Sequence, residues 1–198
     1  MVPPPRDSDD APARSGNPNR SGSPPARRDG SHRKRRGHGV GQHGGQRTSS
    51  IGLTCIGGDD FEFVHPRQVM DVDLDYHEGL EIREAGDPEG ARDALRFALG
   101  ACHDNLWIHV ALGKIALDDF RDPALARGHF GYAVEVAERA LPRGFRGRLP
   151  PERPSNRPFF EAIAGLAQCY DALGRSSDAI KVRALGRQLS GKAGQDHP

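Results

Sequence analysis

The chain has 198 residues, a formal net charge of +1 and a mean hydropathy of −0.67, enough for one folded domain with an appendage. The balance is uneven: residues 1–50 hold ten Lys/Arg against four Asp/Glu, and residues 51–198 hold eighteen against twenty-three. This makes a basic tail on an acidic body, and with no run of about eighteen apolar residues a membrane span is not expected.

Residues 1–50 contain no Leu, Ile, Phe, Trp or Tyr and are rich in Pro, Gly, Ser and Arg. Such a segment cannot bury enough apolar surface to offset the entropy of ordering, so a disordered tail is expected. No apolar stretch comes after Met1, so it does not read as a secretory signal, and no amphipathic stripe marks it as a transit peptide. Its strongest feature is the unbroken run Arg33, Lys34, Arg35 and Arg36, a candidate contact for a polyanion such as nucleic acid. No aromatic interleaves the run, so base stacking is not part of that expectation; the alternative is a solvated extension without a specific role.

Residues 51–65 change texture. Ile51, Leu53 and Ile56 precede the turn signal Gly57-Gly58-Asp59-Asp60, and Phe61 and Phe63 alternate with Glu62 and Val64. The pattern reads as a short extended segment or hairpin that must dock on the helical part of the chain.

From Pro66 the periodicity is helical. Val69, Val72, Tyr76 and Leu80 predict a first helix to about Ala85. Gly86-Asp87-Pro88 then reads as a stop, an N-cap and a first helical position. A second helix carries Ala91, Leu95, Ala98 and Leu99, and a third runs from about Asn105 to Asp118. Asp122-Pro123 starts a fourth, to about Leu141. Residues 142–158 hold five Pro and five Arg (Arg143, Arg146, Arg148, Arg153, Arg157), which excludes regular helix and suggests a spacer or a partner-facing loop. A fifth helix runs from Pro158 to about Leu173, a sixth from Ser176 to about Leu189, and residues 190–198 form a polar end.

A period links these helices. Gly79 and Gly113 are 34 residues apart, and Ala91 and Ala126 are 35 apart. Ala126 and Ala179 are 53 apart, which is 35 plus an insertion matching the Pro/Arg segment. With Leu112-Gly113, Phe130, Ala133, Tyr170 and Gly174, these positions resemble the tetratricopeptide repeat (TPR) family over about residues 72–189. There, a small residue lets two helices approach and a bulky one fills the gap beside it. Ala116 in the second unit and Arg183 and Gly186 in the third depart from the pattern. The resemblance implies an all-α array of three helix pairs over residues 66–189, with the insertion at 142–157; an irregular six-helix bundle is the competing architecture.

In TPR proteins the first helix of each pair lines a groove. The resemblance therefore implies that Trp107, Val110, Lys114 and Asp118 share an exposed side, and that Ile108, Ala111, Leu112 and Ile115 pack inward. The partner-facing set becomes Tyr76, Arg83, Trp107, Val110, Lys114, Gln168 and Asp171, with Trp107 open to a second reading as core. The carboxylate clamp of some TPR proteins is not expected, because the aligned positions Asp73, Tyr76, Leu80, Trp107, Val110 and Lys114 offer one base.

The residues point away from catalysis. There is no G-x-S-x-G, P-loop or H-E-x-x-H pattern, and Asp71, Asp73 and Asp75 lack the Gly and distal Glu of a calcium loop. Cys55, Cys102 and Cys169 have no metal or disulfide spacing, so a reducing, cytoplasmic compartment with no metal or cofactor is expected. The expectation is a non-catalytic scaffold holding a protein or peptide segment. The alternative is a nucleic-acid-associated accessory protein using the basic tail and the Arg loop.

Overall fold

The computed structural model describes residues 51–191; Arg33, Lys34, Arg35 and Arg36, with the remainder of the tail and residues 192–198, lie outside them. The described chain is mostly helical. It opens with an antiparallel hairpin, β1 (Gly52–Gly57) and β2 (Asp60–Val64), in which Leu53 faces Phe63 and Cys55 faces Phe61. Seven α-helices come after it among the described residues: α1 (Gln68–Asp71), α2 (Asp73–Glu84), α3 (Pro88–Ala101), α4 (Leu106–Lys114), α5 (Pro123–Ala140), α6 (Arg157–Ala172) and α7 (Ser176–Ser190). None is long and apolar enough to cross a membrane.

The helix starts are set by local chemistry. Asp87 Oδ1 accepts the Gly90 N–H at 2.8 Å, Asp122 Oδ1 accepts those of Ala124 and Leu125, and Asn105 Oδ1 accepts that of Ile108 at 3.2 Å. Each removes an unpaired donor at a helix start, and Pro88 and Pro123 occupy first-turn positions where no donor is needed. Just before α3, α5 and α7 the backbone turns left-handed: Gly86 has φ 91°, Arg121 φ 55° and Gly174 φ 70°. Arg121 holds a conformation that its two counterparts reach without a Cβ.

Two expectations change. The single helix predicted from Pro66 to Ala85 is two, because Val72 leaves the helical region (φ −107°, ψ 14°) and buries its side chain, while Asp73 and Asp75 fall in the favourable first turn of α2. The third helix does not run evenly to Asp118: it ends at Lys114 and continues as a π-helical turn, Ile115–Asp119, closed by Phe120 N–H to Ile115 C=O at 3.1 Å. That turn accounts for the unequal spacings in the sequence. Gly79 precedes Ala91 by 12 residues and Gly113 precedes Ala126 by 13, and a π turn absorbs one extra residue without ending the helix.

Successive helices pack on one another, α2 on α3, α4 on α5 and α6 on α7, and α4 also meets α6. Small residues sit at the crossings. A Cβ on Gly79 would lie 2.7 Å from Leu95, and one on Gly113 would lie 2.7 Å from the Phe130 ring, which Gly165 of α6 abuts from the other side. Ala91, Ala126 and Ala179 are all fully buried. Two apolar clusters result. One joins α2, α3 and one side of α4 around Leu95, Ile108 and Ile115; the other joins the hairpin, the opposite side of α4 and α5–α7 around Phe63, Phe130 and Phe159.

The Pro/Arg segment is part of this second body. Leu149 is buried and its N–H bonds to Leu189 C=O at 2.7 Å, while Phe145 meets Phe61 edge to face at 5.1 Å. Asn156, fully buried, accepts the Phe63 N–H at 3.0 Å and donates to the carbonyls of Phe61 and Pro150 at 3.1 Å each. The hairpin thus docks through a side chain 93 residues away.

Candidate functional site

The ring pair Tyr76 and Trp107, one from α2 and one from the first turn of α4, separates two adjoining cavities. The first, about 270 Å³, is walled by Leu80 and Arg83 of α2, Val110 and Lys114 of α4, and Arg157, Pro158 and Glu161 of α6. The second, about 280 Å³, lies toward α1 between Val69, Met70, Asp73 and His77. Together they form a groove across α1, α2, α4 and the start of α6.

Trp107 is half-buried. One part of the indole meets His65 at 4.1 Å between ring centroids; the rest lines both cavities. His65 Nε2 lies 2.8 Å from Ser155 C=O, and a carbonyl only accepts, so Nε2 carries the proton. Burial holds the His65 pKa below its ordinary value, so the neutral ring is the one against Trp107. The hairpin thereby fixes the indole's orientation.

The polar groups of the groove are largely paired. Lys114 Nζ donates to Glu161 Oε2 at 2.6 Å, tying α4 to α6. Arg83 reaches over to the π turn, with Nε 2.7 Å from Asp119 and Nη2 3.2 Å from Asp118. Burial, followed by the charges of Glu161 and Asp73, raises the Tyr76 pKa, so its hydroxyl remains a donor. Arg157 forms no ion pair among the described residues and offers an unengaged cation at the groove's edge.

Five of the seven residues expected to face a partner, Tyr76, Arg83, Trp107, Val110 and Lys114, therefore wall one groove, while Gln168 and Asp171 do not. Gln168 is exposed farther along α6, and Asp171 is engaged by Arg183 of α7. Val110 needs a correction. It is not on an exposed side but 4% exposed, because α4 is sandwiched between the two apolar clusters and has little free surface. Ile108, Ala111, Leu112 and Ile115 are buried, as their spacing suggests. Sequence reasoning missed Glu161 and named Arg157 only as part of the Arg-rich segment; both enter the groove because α6 packs on α4. The Arg-rich loop is less available than its composition implied: Arg148 pairs with Asp60 at 2.8 Å and Arg153 with Glu62 at 2.9 Å.

A second polar cluster lies between α4 and α5. His109, 7% exposed, places Nε2 2.9 Å from His103 C=O and Nδ1 3.4 Å from Nδ1 of His129. The carbonyl fixes the His109 proton on Nε2, so His129 donates across the pair. Tyr132 lies against His109 at 4.6 Å and donates to Asp104 at 2.9 Å. Burial, then the neighbouring His109, lowers the His129 pKa to about 4, and burial lowers that of His109. Among the described residues no group of three or more His, Cys, Asp or Glu is arranged to hold a metal ion.

No protein-family model, curated protein or solved structure matches the chain.

Proposed function

We propose that this chain is a TPR-like protein-interaction module: a non-catalytic scaffold, working in the cytoplasm, that holds an extended segment of a partner protein in the groove between α2, α4 and α6. One observation carries the reading. Tyr76 and Trp107 come from the first helices of successive pairs and share one groove with Lys114, Glu161 and Arg157. Partly exposed aromatics with a ring of polar groups have the anatomy of a binding hot spot, in which a few rigid anchors supply most of the affinity. Two of the groove's walls, α4 and α6, are tied together by Lys114 and Glu161, which limits the ordering the protein itself must undergo when a segment enters.

Tyr76→Ala tests the reading; because Tyr76 also packs against the α2–α3 cluster, affinity is compared below the variant's own thermal midpoint. Partners would be captured on the immobilised full chain, identified, and their affinities measured for both forms. Removing the Tyr76 ring should weaken binding by about 2 kcal/mol, the scale of a truncated hot spot, beyond any loss of stability from its packing on the cluster. The emission of Trp107, the only Trp in the chain, should shift when a partner is added. Partners bound with equal affinity by the variant, leaving Trp107 emission unmoved, would exclude the groove.

A further inference from the structure

The hairpin has one covered edge and one open edge. On the outer side of β2, Phe61 N–H bonds to Arg148 C=O at 2.8 Å, and Phe63 N–H to Asn156 Oδ1 at 3.0 Å. Phe61 and Phe63 thus point their backbone groups away from β1. In an antiparallel ladder, residues directly opposite one another either both face inward or both face outward. Cys55 and Leu53, opposite Phe61 and Phe63, therefore direct their N–H and C=O groups to the outer side of β1. Among the described residues no backbone hydrogen bond from Leu53 or Cys55 leads there. Residues 52–57 read Gly-Leu-Thr-Cys-Ile-Gly and include no charge and no proline to protect the free edge; the one such device, a bulge between Cys55 and Gly57, lies at the far end of the strand and leaves Leu53–Cys55 regular.

We infer that the free edge of β1 pairs with β1 of a second copy of this chain, antiparallel and centred on Thr54, making one four-stranded sheet from two hairpins. This stands apart from the groove and does not depend on it. The edge is its own complement. A two-fold axis at Thr54 sets Leu53 opposite Cys55 of the partner and Cys55 opposite its Leu53, which satisfies all of these outward groups at once. Thr54 then faces its own copy at a close, non-hydrogen-bonded position, where a Thr–Thr pair is favourable. The absence of charge on β1 means that no like charges meet across the axis. The regular pairing spans Leu53–Cys55; Ile56, 38% exposed, sits in the bulge just beyond it, where Gly52 of the second copy brings no side chain to obstruct it. The chain's own tail is the poorer occupant: residues 1–50 hold no Leu, Ile, Phe, Trp or Tyr to lie beside Ile56.

Cysteine placement makes the register testable on the full chain, since Cys55 is exposed whereas Cys102 and Cys169 are buried. In a Cys55→Ser background, Thr54→Cys sets two thiols across the axis at a close pair, while Ile56→Cys sets its thiol opposite glycine. Mild oxidation at high protein concentration should give a disulfide-linked dimer with Thr54→Cys and little or none with Ile56→Cys. Sedimentation of the unmodified chain should show dimer growing with concentration. Cys55→Pro, which removes an outward N–H and spares the β1–β2 ladder, should sediment as a monomer, with helical circular dichroism intact. A chain that stays monomeric at every concentration, a dimer that survives Cys55→Pro, or equal cross-linking of both cysteine variants would each overturn the pairing. Dimer that appears only after the tail is deleted would assign the edge to the tail instead.

Discussion

The two sides of the groove are built differently. The α2–α3 pair is held by a small cluster, Gly79 against Leu95 with Val72, Ala91 and Ala98, and by one polar tie, Arg83 to the π turn. It leaves Leu74 of α2 and Phe97 of α3 85% and 81% exposed. The α4–α7 body has the larger cluster, three fully buried Phe rings, and the hairpin and loop bonded to it through Asn156. The two groups of helices thus differ in how many independent restraints they carry. The groove has a stiff wall in α4 and α6 and a lightly held wall in α2, and such a wall is the one that moves when a ligand enters.

The sharpest way to break this contrast is Asn156→Ala. The change removes three hydrogen bonds and leaves the Phe63 N–H and the Phe61 carbonyl without partners in a buried place, while the Pro150 carbonyl keeps the Arg153 N–H. Buried groups left unpaired cost about 1–3 kcal/mol each, so a loss of about 3–5 kcal/mol is expected in urea unfolding. The hairpin should be released with it, and the emission of Trp107 should redden as His65 departs. A loss below about 1 kcal/mol would mean that the hairpin docks by apolar packing alone, and that the stiffness of this half lies in its Phe cluster.

How much of this was legible in the sequence depends on the range of the signal. Helix starts at Asp87-Pro88, Asn105 and Asp122-Pro123 were readable because a cap acts within three residues. The crossings at Gly79 and Gly113 were readable because a repeat states the same packing twice. The π turn left only a one-residue mismatch between two spacings, and mismatched spacing has no fixed structural meaning until the backbone is seen. The burial of Val110 was missed because a helix between two cores is apolar on all sides and loses its directional stripe. Asn156 and Glu161 were missed for another reason. The partners of Asn156 and Glu161 lie 93 and 47 residues away, and nothing local in a Pro/Arg-rich loop marks its one buried amide.

Acid should sharpen the contrast from the other direction. The α4–α5 contact contains His109 and His129, whose charged forms are disfavoured by burial, with His109 and Arg96 adding to this at His129 and the His103 side chain at His109; the His103 carbonyl and Asp104 oppose it at His109. Both folded pKa values lie below the unfolded value of about 6.5, so the unfolded chain binds protons first. The stability contributed by the neutral pair is fully present above about pH 6.5 and is lost as pH falls toward the His129 value of about 4. With solvent reaching one side of the His129 ring, the loss is on the order of 2 kcal/mol. His129→Gln should flatten the thermal midpoint between these pH values; a variant as acid-sensitive as the parent would place the effect in the carboxylates.

The smallest effect on stability belongs to Arg83→Ala, and it bears most directly on the light wall. Arg83 is 24% exposed and its partners Asp118 and Asp119 are 57% and 29% exposed, so solvent screens the pair and its loss should cost at most about 1 kcal/mol. Its position matters more than its energy. Arg83 ends α2 at the π turn, while Tyr76, two turns earlier, faces Trp107 across the groove. Without the tie, α2 remains on α3 through Gly79 and Leu95 but is freer relative to α4. Amide exchange should then quicken in α2 and α3 with little change in α6, and acrylamide should quench Trp107 more readily. Equal quickening in both halves would show that the ion pair supports the whole fold, and no change in either would leave the Leu95 cluster as the sole restraint on the α2 wall.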